Sequence, residues 1–140
     1  MKQKRKMKED LQNKYMEQQI LVNNLKQLEQ QFVMMEQHLN DLKGLDESLD
    51  SLINTKENEM FSAVGNGVFV KTELKEKESV LVNIGAGVVV KKNIKDAKNL
   101  VIRQIDEVQN LVIQIQDDFD NLNNEISILR EELHHASHSA

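Results

Sequence analysis

The residues able to do chemistry in this chain are few, and their spacing limits what each can do. His134, His135 and His138 cluster near the C-terminal end, and a spacing of four would place two imidazoles on one helical face, a weak metal-binding arrangement. The Ser and Ala residues around them favour a polar tail instead. His38 stands alone at a flanking helical position and reads as a solvated side chain. There is no cysteine, so disulfide and thiol chemistry are excluded, which fits a reducing cytosol, and zinc would have to rely on histidine and carboxylates. Gly65-Asn66-Gly67 and Gly85-Ala86-Gly87 have the Gly-x-Gly form of a phosphate loop. Neither is followed by a third glycine or directly by a helix start, and an apolar strand pattern comes next, so both read as hairpin turns. No nucleophile, base and orienting acid assemble from one stretch. No catalytic residue, cofactor or metal is expected, and the chain does not read as an enzyme.

A basic start, Lys2, Lys4, Arg5, Lys6 and Lys8, is of the kind that touches phosphates. The whole chain carries a net charge of −5, so nucleic acid is not an expected partner and the basic run reads as a solvated helix end. No apolar core follows it, as a signal peptide would need. No apolar run approaches the ~20 residues that cross a bilayer. The longest, Ile84 to Val90, contains two glycines, and no membrane partner is expected.

These groups must be positioned by long helices. Proline is absent and aromatic residues make up only 4%, which suits helices that bury a narrow stripe and leave the rest wet. Over residues 9–56 a heptad seam runs through Leu11, Lys14, Gln18, Leu21, Leu25, Leu28, Phe32, Met35, Leu39, Leu42, Asp46, Leu49 and Ile53. Over residues 94–134 a second seam, Val101 through Phe119 to Leu133, is apolar at every position, with Asn93 placed to cap its start and Asp96 in its first turn. Residues 135–140 read as a tail. The two apolar seams, Leu21–Ile53 and Val101–Leu133, have equal length, which predicts an antiparallel pair within one chain with Phe32 opposite Leu122 and Phe119 opposite Met35. Gly44 at an outward position costs about 1 kcal/mol relative to Ala, and Asp46 places a carboxylate on the seam. The helix is therefore expected to leave its seam near Gly44 and turn the stripe Leu45, Leu49, Leu52 elsewhere.

Between the seams, over residues 58–92, the period changes to two. Val68, Val70, Thr72 and Leu74 share one strand face, as do Val80, Val82 and Ile84, then Val88 and Val90, and Met60–Val64 forms a shorter strand. The turns hold Gly65, Gly67, Gly85 and Gly87, where glycine reaches positive φ cheaply. Val64–Lys71 repeats as Ile84–Lys91 with an offset of 20, five of the eight positions being identical, so two successive β-hairpins are predicted. Four short strands leave unpaired edges and an uncovered apolar face. Closing a barrel between chains removes both defects. Val68, Val70, Val80, Val82, Ile84, Val88 and Val90 are thus the expected oligomerisation residues. The fold class is mainly α with a β insertion: a long antiparallel intrachain coiled coil joined by two hairpins that build an inter-subunit barrel.

Matched helices flanking a β insertion, with Val-Leu-Val-Asn-Ile-Gly-Ala-Gly-Val-Val-Val-Lys-Lys-Asn-Ile-Lys-Asp-Ala at Val80–Ala97 and two hairpins rather than one, resemble the alpha class of prefoldin subunits. The resemblance covers nearly the whole chain as one domain. It implies a cytoplasmic, ATP-independent chaperone hexamer of two alpha-class and four beta-class subunits. Such a hexamer holds non-native client proteins at coiled-coil tips and passes them to a group II chaperonin. A structural coiled-coil adaptor or scaffold is the alternative reading. The polar seam at Lys14 and Gln18 is expected to weaken zipping and leave Met7, Leu11, Tyr15, Leu129 and Leu133 partly free for clients.

Overall fold

The computed structural model of the protein describes residues 2–138; Ser139 and Ala140 of the expected tail, and the side chain of His138, lie outside the described residues. The element order is α1 Lys2–Asn54, β1 Glu59–Gly65, β2 Val68–Glu73, β3 Ser79–Gly85, β4 Val88–Asn93 and α2 Ile94–His138. The second helix thus runs past residue 134, where the sequence placed a tail. Two compact units divide the chain, one made of the residues up to His38 and from Val108 onward, the other of Leu39–Glu107.

In the first unit two helical segments run antiparallel. Their burial follows the heptad pattern: Leu11, Lys14, Gln18, Leu21, Leu25, Leu28, Phe32 and Met35 are half-buried while the positions between them are mostly exposed, and Val108, Ile126, Leu129 and Leu133 are buried. Lys14 Nζ lies 3.5 Å from Glu132 Oε2. Leu28 and Leu122 line one cavity, and Phe32 and Phe119 another of about 320 Å³. The two rings therefore share a layer, and the register is slid by roughly one helical turn from the one that equal seam lengths implied. Seam length carries no information about which charges meet, and the observed setting gives Lys14 an acidic partner.

In the second unit, the end of α1 and the start of α2 supply the buried residues Leu42, Leu49, Ile94, Ala97 and Val101. The start of α2 is capped as its sequence predicts, with Asp96 N–H donating to Asn93 Oδ1 at 2.8 Å. The expected departure from the seam at Gly44 does not occur there. The helix continues through it, Leu45 is exposed, and Leu42, Asp46 and Leu49 keep the heptad spacing. The stripe rotates only at the last turn, where Leu52 is half-buried and Ile53 exposed. Asp46 stays on the seam because Lys98 reaches it: Lys98 Nζ lies 3.9 Å from Asp46 Oδ1 and is hydrogen-bonded to Asp50 Oδ1.

Strands β1 and β2 pair antiparallel, as do β3 and β4, in two separate two-stranded sheets. The first register pairs Met60 with Thr72 and Ser62 with Val70; the second pairs Val80 with Lys92 and Val82 with Val90. Each ladder shifts just before its turn, so that Val64 and Ile84 are extra, bulged residues. Gly67, Gly85 and Gly87 have φ of +74°, +108° and +74°, and Ala86 has φ of +53°. Gly65 lies outside that region, so one of the four turn glycines does not use the conformation expected of it.

Candidate functional site

Two surfaces stand out, one in each unit. The first is formed by the hairpins. The alternation of the paired strands puts Val68, Val70, Val80, Val82, Val88 and Val90 on the faces that also carry Met60, Ser62 and Thr72. Val68, Val70 and Val88 are exposed, as is Ile84, while Val80, Val82 and Val90 are half-buried. Ile84 belongs to the bulge rather than to the regular face, a distinction that residue alternation cannot reveal. The opposite faces carry a second apolar set. Phe61, Phe69, Leu81 and Val89 are all exposed and recur at the same offset of 20. The sequence contained that signal in the alternate positions of each strand. Both faces of each hairpin therefore expose apolar area.

Ion pairs frame this surface. Lys71 lies 3.0 Å from Glu59 across the first hairpin. Lys91, its repeat equivalent, instead meets Glu76 of the connecting segment at 3.3 Å. The Ser79 hydroxyl, donating to Glu76 Oε1 at 2.7 Å, and then Lys91 hold the Glu76 carboxyl below the ordinary carboxylate range. The Lys98 ammonium is held above its ordinary value, first by its hydrogen bond to Asp50, against some desolvation, and then by the charge of Asp46. Sequence reading passed over Lys98, although its charge was the available answer to a carboxylate on the seam.

The second surface is a groove at the chain ends of the first unit, a cavity of about 390 Å³ lined by Met7, Leu11 and Ala136 with Lys4, Lys8 and Lys14. Met7 is 73% exposed, Tyr15 50% and Leu11 half-buried. Leu129 and Leu133 are 6% and 5% exposed, which corrects the expectation that a polar seam frees them. Lys14 is engaged by Glu132, the helices stay paired, and both leucines are used in the seam. A neighbouring cavity is lined by Tyr15, Gln18, Arg130, Leu133, His134 and Ser137, a mixed polar and apolar wall. The His134 and His135 rings lie 6.3 Å apart, edge to face. Among the described residues no group of three acids or histidines is placed to hold a metal ion. No described helix is long and apolar enough to cross a membrane.

Paired helices with two β-hairpins inserted between them define a coiled-coil protein of α class with a β insertion. The comparisons make that class specific. The description of the prefoldin subunit family matches residues 21–138. The prefoldin subunit alpha of Methanobrevibacter smithii is 33% identical over 82 residues, covering 59% of this chain and 56% of that relative. That of Nitrosopumilus maritimus is 31% identical over 96 residues, covering 64% and 66%. That of Methanococcus vannielii is 24% identical over 127 residues, covering 91% and 86%. The cryo-EM structure of filamentous PFD from Methanocaldococcus jannaschii superposes with a TM-score of 0.70 at 16% identity, over 81% of this chain and 95% of that one, a likeness of fold. The chain belongs to the prefoldin subunit family, and within it to the alpha class. It is accordingly a chaperone-type subunit of a family that forms oligomeric complexes.

Proposed function

We propose that the chain works as the alpha-class part of a cytoplasmic, ATP-independent holdase of two alpha-class and four beta-class subunits. Val68, Val70, Val80, Val82, Val88 and Val90, with the bulged Ile84, supply the sheet surface that closes a β-barrel with the beta-class chains. Non-native proteins are held at the chain-end groove and passed to a group II chaperonin. The observation that carries this reading is the groove itself. Met7 and Leu11 line it, and Met is flexible and polarizable enough to fit unlike partners. Several such weak contacts on one assembly reinforce each other.

The test is to rebuild the complex with its beta-class partner and measure suppression of aggregation for several unrelated, chemically unfolded proteins. The full chain is compared with a chain lacking residues 1–15 and 130–140. Assembly should survive the deletion, since the hairpins are untouched, and protection should fall. A full-length complex that protects no client would leave the adaptor reading. A truncated complex that protects fully would move capture away from the groove.

A further inference from the structure

We infer that the chain-end groove selects non-native segments in which one or two apolar side chains are flanked by carboxylates. The inference rests on the capture role proposed above and adds the chemical class of client that the groove takes. Lys4, Lys8 and Leu11 are linked by spacings of four and three, as are Met7, Leu11 and Lys14, so the two rows meet at Leu11 on one side of α1. Met7 and Leu11, with Ala136 from α2, line the cavity, and its volume of about 390 Å³ suits one or two large apolar side chains. The lysines line the same cavity. A lysine in this position lays its methylene stem along apolar surface and keeps its ammonium in water. The groove is thus apolar in its floor and cationic at its rim.

The three ammonium groups are not equivalent. Lys14 is partly neutralised by Glu132 at 3.5 Å. Lys4 and Lys8 have no ion-pair partner among the described residues. Asp10 is the one carboxylate in the lining, so positive charge prevails there. Residues 2–8 hold five basic side chains and no acid, in a chain whose net charge is −5. The field at this end therefore opposes that of the molecule as a whole. An apolar segment with acidic flanks gains at the rim what it gains in the floor. The same segment with basic flanks must bring like charges together, which rejects it.

The probes are short, unstructured, fluorescein-labelled peptides that share a Leu-Phe pair and differ only in flanks of Glu, Gln or Lys. Anisotropy is measured against the assembled complex containing the full chain, at low and moderate salt. The Glu-flanked peptide is expected to bind about tenfold more tightly than the Lys-flanked one at low salt, with the gap narrowing as salt screens the rim. Lys4→Glu with Lys8→Glu should invert the order, and Lys4→Gln with Lys8→Gln should level it, with helicity followed by circular dichroism in both variants. Equal affinity for Glu and Lys flanks, or a preference that survives charge reversal, overturns the inference. The Gln-flanked peptide on the unaltered complex reports capture alone: its failure to bind sinks the underlying reading rather than the selectivity. A single-stranded oligonucleotide that binds more tightly than the Glu-flanked peptide, and ignores Met7→Ser, would make the basic rim a nucleic-acid contact and likewise overturn the inference.

Discussion

The two hairpins share a plan down to the hydrogen bond that closes each. Leu74 N–H donates to Asn58 O at 2.6 Å in the first, and Ile94 N–H to Glu78 O at 3.0 Å in the second, at the same offset of 20. Both carry a bulge at the equivalent residue. They part company in their side chains and in the first two residues of the turn, where Gly85 and Ala86 take positive φ and Gly65 and Asn66 do not. The first hairpin places a Ser62–Thr72 hydroxyl contact of 2.7 Å on the face where the second carries Val82. Leu74 is half-buried where Ile94 is 5% exposed and opens α2 directly. The second turn is further held by Asn83 Oδ1, which accepts from Gly85 N–H at 3.0 Å, where the first has Ala63. The repeat keeps the strand register and the bulge, and the second copy runs directly into a helix. The first copy is thereby the one whose exposed face has least to do inside its own chain.

The largest expected effect tests that division of labour. Val90→Lys introduces a charge at a half-buried position and should destabilise the chain by about 3 kcal/mol or more. Val70→Lys, at a position 44% exposed, should leave thermal unfolding of the isolated chain nearly unchanged while abolishing assembly by native mass. Equal loss of chain stability in both would erase the contrast.

A middle-sized effect concerns the shared backbone. Gly67→Ala and Gly87→Ala each force a Cβ into the left-handed region at φ +74°, so each should cost about 1–2 kcal/mol by denaturant titration. A cost confined to one hairpin would break the claim of a common plan. Ala86→Gly runs the other way. Ala86 sits at φ +53° with open surroundings in the turn, so glycine should stabilise by about 0.5–1 kcal/mol, whereas Asn66→Gly relieves no such strain and should not.

The smallest effect is on pH. Glu76 is held below its ordinary value of 4.5 by Ser79 and Lys91. Its contribution is present above that value and disappears as pH falls through the lowered one. Glu76→Gln should therefore flatten the acid limb of a stability–pH curve. An unchanged limb would show that the Lys91 pairing of the second hairpin confers no such dependence.

Much of the fold was legible because burial along it is periodic. Every seam position from Leu11 to Leu49 reappears as a half-buried or buried residue, and the strand repeat reappears as two hairpins. What was not legible depends on pairs rather than on periods. The helix register follows which charges meet, as Lys14 with Glu132, and a one-dimensional pattern cannot rank such meetings. For the same reason Asp46 read as a defect until Lys98 was seen beside it. Leu129 and Leu133 were misread because a polar seam was taken as a weak one. The bulges at Val64 and Ile84 shift parity by one residue without any change in composition. The groove was half-read: Met7 and Leu11 were picked out, while Ala136 and the lysine rim were not.

Asp46 and Lys98 have one more consequence. Neighbouring layers of greasy side chains are interchangeable, and a helix end can slide from one to the next at little loss. A charged layer is not interchangeable. Among the described residues Asp46 Oδ1 lacks a hydrogen-bond partner, and the Lys98 ammonium 3.9 Å away balances its charge. Moving either helix end by a heptad would withdraw that ammonium and press the carboxylate against hydrocarbon. The layer thus behaves as a keyway: it contributes little grip in the correct setting and obstructs every other one, so the hairpins that follow α1 and precede α2 are always delivered in the same alignment.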